Sequence, residues 1–106
     1  MTSDSLPAGH VSVARRGYER VLAALAAREL GVPAARVSVA LGDQGGRMTV
    51  DLKGPVALAP DASIPDVAER VRATVSSEGR RLTGAEIAMV RLRVTAASHR
   101  QTGRVS

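Results

Sequence analysis

The clearest pattern along the chain is a change of hydrophobic period within residues 64–96. In the first part, apolar residues recur at helical spacing, which predicts an amphipathic helix with one narrow stripe facing a core. The stripe consists of Val67, Val71, Val75 and Leu82. Ser63 is placed to cap this helix at its N-terminus, and Gly84 supplies the residue that favours a left-handed helix end.

Gly79 interrupts the pattern at a cost of about 1 kcal/mol relative to alanine. The helix could therefore end near Glu78, but Leu82 stays in phase and we expect the helix to reach it.

Beyond Gly84 the period changes to two. Four apolar residues, Val90, Leu92, Val94 and Ala96, alternate with Met89, Arg91, Arg93 and Thr95. This alternation predicts a half-buried β-strand.

A second helix is predicted upstream, over residues 14–30. Five positions with helical spacing form its core face: Tyr18, Val21, Leu22, Leu25 and Ala26. The opposite face holds Arg16, Arg20, Ala23 and Ala27. Gly31 and Pro33 end the helix. The surface made by Ala23, Ala24 and Ala27 could receive another helix, or it could only reflect the high helix propensity of alanine.

Two alternating segments between the helices predict a β-hairpin. Residues 36–41 place Val37, Val39 and Leu41 on one face, and residues 47–53 do the same with Met48, Val50 and Leu52. The intervening residues 42–46 predict a loop of about five residues. Val56 and Leu58 keep the same phase beyond Pro55, which indicates a sheet edge or a bulge at that proline.

Together these elements predict an α+β domain with two layers: a small, mostly antiparallel sheet with two helices on one face, in the order (β)αββαβ. The bracketed strand is the alternating segment HVSV at residues 10–13. If it forms, the ferredoxin-like split βαβ arrangement has to be considered. The strand order in the sheet stays open. We expect a disordered tail at residues 1–8, a single domain at residues 9–96 and a flexible basic tail at residues 97–106.

Composition narrows the classes of function. The chain has no Cys, which excludes disulfides, thiol nucleophiles and cysteine zinc sites. Its carboxylates are scattered and its two histidines lie in the flanking segments, so we expect no enzyme activity, no catalytic residue, no metal and no cofactor. The N-terminus resembles no secretory signal and no apolar run approaches the length of a membrane span, which predicts a cytoplasmic protein without direct membrane insertion.

The positive charge is concentrated late in the chain, where six arginines follow residue 79 against Glu86 alone. On the outer face of the predicted sheet, six residues form a candidate interaction face: Arg36, Arg47, Lys53, Met89, Arg91 and Arg93. Such a face could contact an acidic protein surface or phosphate, or could be a solvated surface.

Binding to nucleic acid is the alternative function, as a small RNA- or DNA-binding accessory domain. Residues 42–45 match the GxxG of KH domains, but they join two strands rather than two helices. Proteins that bind single strands also stack bases on aromatic side chains, and Tyr18 is the only aromatic residue. We therefore do not expect a nucleic-acid partner.

The sequence resembles the alkaline shock protein family of bacterial envelope stress response proteins over roughly residues 9–96. The motifs that carry the resemblance are GHVSV near residue 10, AARELGV ending at Val32, VSVAL, MTVDL, SIPDVAERVRATV and LTGAEIAMVRLRV. The Arg- and Ala-rich style is similar to actinobacterial members. The resemblance implies a non-enzymatic cytoplasmic scaffold, recruited to the membrane periphery, with a role in cell envelope homeostasis. Its implied partners are other copies of itself and a small membrane-anchor protein, with no small-molecule substrate.

Overall fold

The computed structural model describes the backbone of residues 8–99 and the side chains of residues 15–99. The elements follow the order αββαβ, which confirms the expected α+β fold. They are α1 (Ala8–Leu30), β1 (Ser38–Gln44), β2 (Arg47–Leu58), α2 (Ile64–Thr83) and β3 (Ile87–His99), with a short 3-10 helix at Ala34–Arg36.

The three strands form one mixed sheet in the order β1-β2-β3. β1 and β2 pair antiparallel as a hairpin, whereas β2 and β3 pair in parallel. The parallel pair follows from the length of α2, because a 20-residue helix spans roughly 30 Å and returns the chain along most of β2. β3 therefore starts beside the start of β2 and runs in the same direction.

The optional first strand does not form. Residues 10–13 lie inside α1, so a ferredoxin-like arrangement is not present among residues 8–99. Four alternating residues are a weak strand signal, and extending an existing helix adds one hydrogen bond for each residue ordered. Of the expected tails, residues 1–7 and 100–106 lie outside the described part of the chain. Ala8 already belongs to α1, and β3 continues to His99, three residues beyond the predicted end of the domain.

The core lies between the helices and the inner face of the sheet. Its least exposed large side chains are Leu22, Leu30, Val50, Leu52, Val56, Val71 and Val75. Leu25, predicted to face the core, is buried. Ala27 was predicted on the outer face of α1 and is instead 3% exposed, while Ala23 is half-buried and Ala24 exposed. The prediction was wrong at Ala27 because α1 contacts both α2 and β1, which buries a wider strip than one apolar stripe.

The two ends of α2 confirm the predicted caps. The Oγ of Ser63 accepts a hydrogen bond from the backbone N–H of Asp66 at 3.3 Å. Gly84 has φ 76°, and its N–H donates to the carbonyl of Arg80 at 2.8 Å. A left-handed residue at this position ends the helix and directs the chain into β3.

The apolar stripe of α2 ends differently from the prediction. Leu82 is 51% exposed, whereas Gly79 is buried. A Cβ at Gly79 would lie 2.8 Å from the Cδ2 of Leu22 and 3.1 Å from the Cδ1 of Ile87. The glycine therefore provides the space in which α1 and the start of β3 pack against α2, and the helix continues past it.

The hairpin between β1 and β2 turns more tightly than predicted. Gly42 to Gln44 extend β1, and the turn consists of Gly45 and Gly46 alone, with φ 61° and 84°. Two positive φ values suit the two-residue turns that match the twist of paired strands. Beside Pro55 the register of β2 against β3 shifts between Gly54 and Val56, with the extra residue in β3. Of the two predicted alternatives, an irregularity in the pairing is therefore found and a sheet edge is not, because β2 is the central strand.

Candidate functional site

The uncovered face of the sheet is the candidate site. Side chains alternate along each strand, so Val50 and Leu52 point to the helices while Asp51 and Lys53 point away. Both helices pack on the inner face. We call the opposite side, formed by Ser38, Ala40, Thr49, Asp51, Lys53, Met89, Arg91 and Arg93, the outer face.

Strand register places these residues in rows across the sheet. Asp51 lies between Ala40 on β1 and Arg91 on β3. The next row holds Ser38, Lys53 and Arg93. Adjacent strands are about 4.8 Å apart, so the side chains within one row are direct neighbours.

Asp51 and Arg91 form an ion pair across β2 and β3. The Arg91 guanidinium donates from Nε to Oδ1 at 2.8 Å and from Nη2 to Oδ2 at 3.4 Å. Both side chains are substantially exposed, at 68% for Arg91 and 45% for Asp51. An exposed pair of this kind contributes about 0–1 kcal/mol to stability. Its main effect here is to neutralise one of the three cations of the two rows.

Lys53 and Arg93 are register partners, and both are exposed. No carboxylate among residues 15–99 forms an ion pair with either. Like charges directly opposite on a sheet are destabilising, by up to about 1 kcal/mol. The structure thus places two adjacent cations on an open surface without a compensating carboxylate in the part of the chain it describes.

A shallow groove of about 620 Å³ runs over this pair of rows. Its β1 side is low because Ser38 and Ala40 are small, and its β3 side is raised by Arg91 and Arg93. The groove can therefore receive a protruding side chain next to the guanidinium groups.

The six residues of the predicted interaction face do not lie together. Lys53, Arg91 and Arg93 form the cluster around Asp51. Met89, 42% exposed, pairs in register with Thr49 one row further along.

The two remaining arginines differ in position. Arg36 ends the 3-10 helix before β1, and its carbonyl oxygen would lie 3.1 Å from a Cβ at Gly54, the residue that follows Lys53. Arg47 begins β2 and faces Glu86, with 3.9 Å between Nε and Oε2. Arg47 and Lys53 are six positions apart along β2, which is roughly 20 Å of strand.

A second depression, of about 500 Å³, lies near the hairpin turn and is lined by Tyr18, Leu41, Asp43 and Glu86 among others. There the Nη1 of Arg15 donates to the carbonyl of Leu41 at 3.1 Å. The only aromatic side chain of the protein therefore lines this depression and not the groove of the outer face.

Sequence reasoning expected Lys53, Arg91 and Arg93 near one another around Asp51, but it missed the register that makes Lys53 and Arg93 direct neighbours and the contribution of Ala40. The alternation pattern predicts which face a residue occupies but contains no register between β2 and β3. The available signal was the 20-residue helix between these strands, which is typical of a parallel crossover.

Among residues 15–99, no three His, Asp or Glu side chains are grouped as metal ligands would be. No helix in the described part of the chain has the length and apolarity required to cross a bilayer.

No protein-family model matches this chain, and neither a curated protein nor a solved structure matches it significantly. The resemblance to the alkaline shock protein family therefore stays a hypothesis that rests on the sequence motifs.

Proposed function

We propose that this protein is a non-enzymatic association module that binds an acidic protein surface on its outer face. In line with its resemblance to alkaline shock proteins, it would act as a cytoplasmic scaffold in the envelope stress response. A small membrane-anchor protein would recruit it to the membrane periphery. The observation that supports the proposal is the uncompensated pair of Lys53 and Arg93.

A carboxylate from a partner would remove the repulsion within this pair. The guanidinium of Arg93 can hold a carboxylate through two parallel hydrogen bonds, while the ammonium of Lys53 supplies a point charge. The groove beside the small β1 residues leaves room for such a side chain. Binding would thus relieve a local cost of the free protein in addition to forming new contacts.

An acidic protein surface suits the outer face better than a nucleic acid does. The face contains no aromatic side chain on which a base could stack. Asp51 also lies at its centre, next to Arg91, where it would repel a phosphate backbone. What remains is a polar interface with few apolar residues, which we expect to be transient and to weaken as salt increases.

Replacing one member of the pair tests the proposal. Lys53→Glu would place a carboxylate opposite Arg93, which we expect to stabilise the fold by about 0.2–1 kcal/mol. The same change should abolish association, because the new ion pair occupies Arg93 and repels an acidic partner. If Lys53 only maintained the fold, its replacement by Glu would not give a protein that is more stable and yet fails to bind.

The matched control is Arg20→Glu, an equal charge reversal at an exposed position of α1. Sedimentation at low and high salt would measure self-association, and a pull-down would measure binding to a membrane-anchor protein encoded by an adjacent gene. The proposal predicts loss of binding for Lys53→Glu and retention for Arg20→Glu. Equal binding by both variants would show that the outer face is only a solvated surface. A salt-dependent mobility shift with mixed nucleic acid near 50 mM salt would favour the nucleic-acid function instead.

A further inference from the structure

β3 is an unusually long edge strand. It spans 13 residues and pairs with β2 on one side only. No backbone group elsewhere among residues 8–99 pairs with its free edge over Met89 to Val94. Edge strands are normally short, interrupted or covered, because a row of unpaired N–H and C=O groups is a template for another strand.

The opposite edge of the sheet differs. β1 has seven residues, and one of its carbonyls, that of Leu41, already accepts a hydrogen bond from Arg15 of α1. β3 therefore offers the longer and less obstructed edge.

The side chains of β3 determine which residue types a neighbouring strand would have to place on each face. Arg91 and Arg93 are exposed on the outer face, and Leu92 and Val94 are half-buried on the inner face. A fourth strand would place alternate side chains beside each pair, because its residues also point in turn to the two faces. Acidic residues would fit beside the arginines, and apolar residues beside Leu92 and Val94 would extend the core.

We infer that the free edge of β3 binds an extended segment of a partner protein as a fourth strand, and that this segment alternates acidic and apolar residues. The inference deepens the proposed function and rests on it, since the same acidic partner is involved. Main-chain hydrogen bonds would supply affinity, and the alternating side chains would supply specificity.

A second copy of this chain is a poorer occupant. Pairing β3 with β3 about a two-fold axis near Leu92, the centre of the arginine segment, would set Arg91 and Arg93 of one copy against those of the other, and facing like charges oppose pairing. Pairing with the edge of β1 would offer only neutral outer-face residues, such as Ser38 and Ala40. Residues 1–7 and 100–106 contain a single carboxylate side chain, that of Asp4, so the chain's own ends lack the acidic pattern.

A synthetic peptide of nine alternating Glu and Val residues provides the probe. We expect it to bind this protein at least tenfold more tightly than a peptide of the same composition with its glutamates grouped together. Binding should protect backbone amides of residues 89–94 from hydrogen exchange. Absence of this preference at peptide concentrations up to about 1 mM would overturn the inference.

Charge reversal tests whether the arginines of β3 select acidic side chains in the partner strand. The double variant Arg91→Glu, Arg93→Glu should lose the Glu-Val peptide and gain binding to a Lys-Val peptide of the same length. Exposed side chains on an edge strand can change sign without disturbing the core, and this exchange of preference would show that the variant is folded. A folded variant that still prefers the Glu-Val peptide would show that these arginines do not select the acidic side chains.

Backbone methylation separates this inference from the proposed function. Methylating alternate peptide nitrogens removes the N–H groups from one edge of the peptide and leaves its charges unchanged. We expect methylation of either the odd-numbered or the even-numbered nitrogens to weaken binding at least tenfold. If neither methylated peptide binds more weakly but Lys53→Glu abolishes binding, the strand-addition mode is wrong and the proposed acidic docking stands. If a methylated peptide binds more weakly and Lys53→Glu has no effect on binding, strand addition stands and the docking site at Lys53 is wrong.

Discussion

The two faces of the sheet are made by the same three strands, but they differ in almost every property. On β2, Val50 and Leu52 are 1% and 2% exposed, while Lys53, next to Leu52, is exposed to solvent. The inner face has no buried polar or charged side chain among the described residues, and the outer face has few apolar ones. Because neighbouring residues of a strand point in opposite directions, one residue step separates the part that stabilises the fold from the part that is open to solvent.

Substitutions on the inner side should change the free energy of unfolding, and substitutions on the outer face should change association with little effect on folding. The core contains no Phe or Trp and consists of aliphatic side chains. A domain of this size has roughly 5–15 kcal/mol of stability, so a single truncation in the core removes a large share of it.

The largest effect is expected for Leu25→Ala in α1. The side chain is buried, and truncating a buried leucine costs about 2–5 kcal/mol through lost burial and the cavity left behind. Leu82→Ala is the matched control, because Leu82 is 51% exposed and its truncation should change stability by under about 0.5 kcal/mol. Urea denaturation measures both. A loss below about 1 kcal/mol for Leu25→Ala would contradict the assignment of the core.

An intermediate effect, with opposite signs at two glycines, is expected for glycine-to-alanine substitution. Gly17→Ala should stabilise α1 by about 0.5–1 kcal/mol, because nothing lies within 4 Å of the added Cβ and alanine favours the helix. Gly79→Ala adds a Cβ against Leu22 and Ile87, and overpacking of about 1–3 kcal/mol should exceed the same gain in propensity. Thermal unfolding of the two variants gives the signs. Stabilisation by both would show that the contact of α1 with α2 adjusts to a methyl group.

The smallest change in stability is expected for Asp51→Asn on the outer face. The substitution preserves shape and removes the charge that neutralises Arg91, at a cost of up to about 1 kcal/mol for an exposed pair. The outer face becomes more positive, so association with an acidic partner should strengthen and depend more steeply on salt. Sedimentation of the variant together with the acidic partner at two salt concentrations measures this association. Weaker association would mean that Asp51 itself contacts the partner.

Much of the fold could be predicted from local pattern. The alternation in β2 and β3 predicted which residues face the helices, and Val67, Val71 and Val75 were correctly assigned to the core by their spacing. Ser63 and Gly84 were recognised as caps because their chemistry satisfies helix ends whatever the surroundings. The candidate site was predicted as a set of cations grouped around Asp51 on one face, without the register that decides which of them are direct neighbours.

Other features depended on elements distant in sequence. Residues 10–13 alternate as a short strand does, but they extend α1, where they lengthen a helix that residues 14–30 already support. Gly79 is a helix breaker by propensity, and only the approach of Leu22 and Ile87 shows which neighbours the absence of a side chain accommodates. Leu82 kept the helical phase, yet it is exposed.

The sequence by itself determined the faces of the strands and the ends of α2, because these depend on side-chain alternation and on hydrogen bonds within a few residues. Only the tertiary structure decided which residues are neighbours across the sheet. Arg93 lies 40 positions from Lys53, and their adjacency results from the parallel register set by the return of the chain through α2. A pattern of period two is unchanged when one strand slides by two residues against another. The pairing of these two cations therefore depends on the packing of the helix that brings β3 back beside β2.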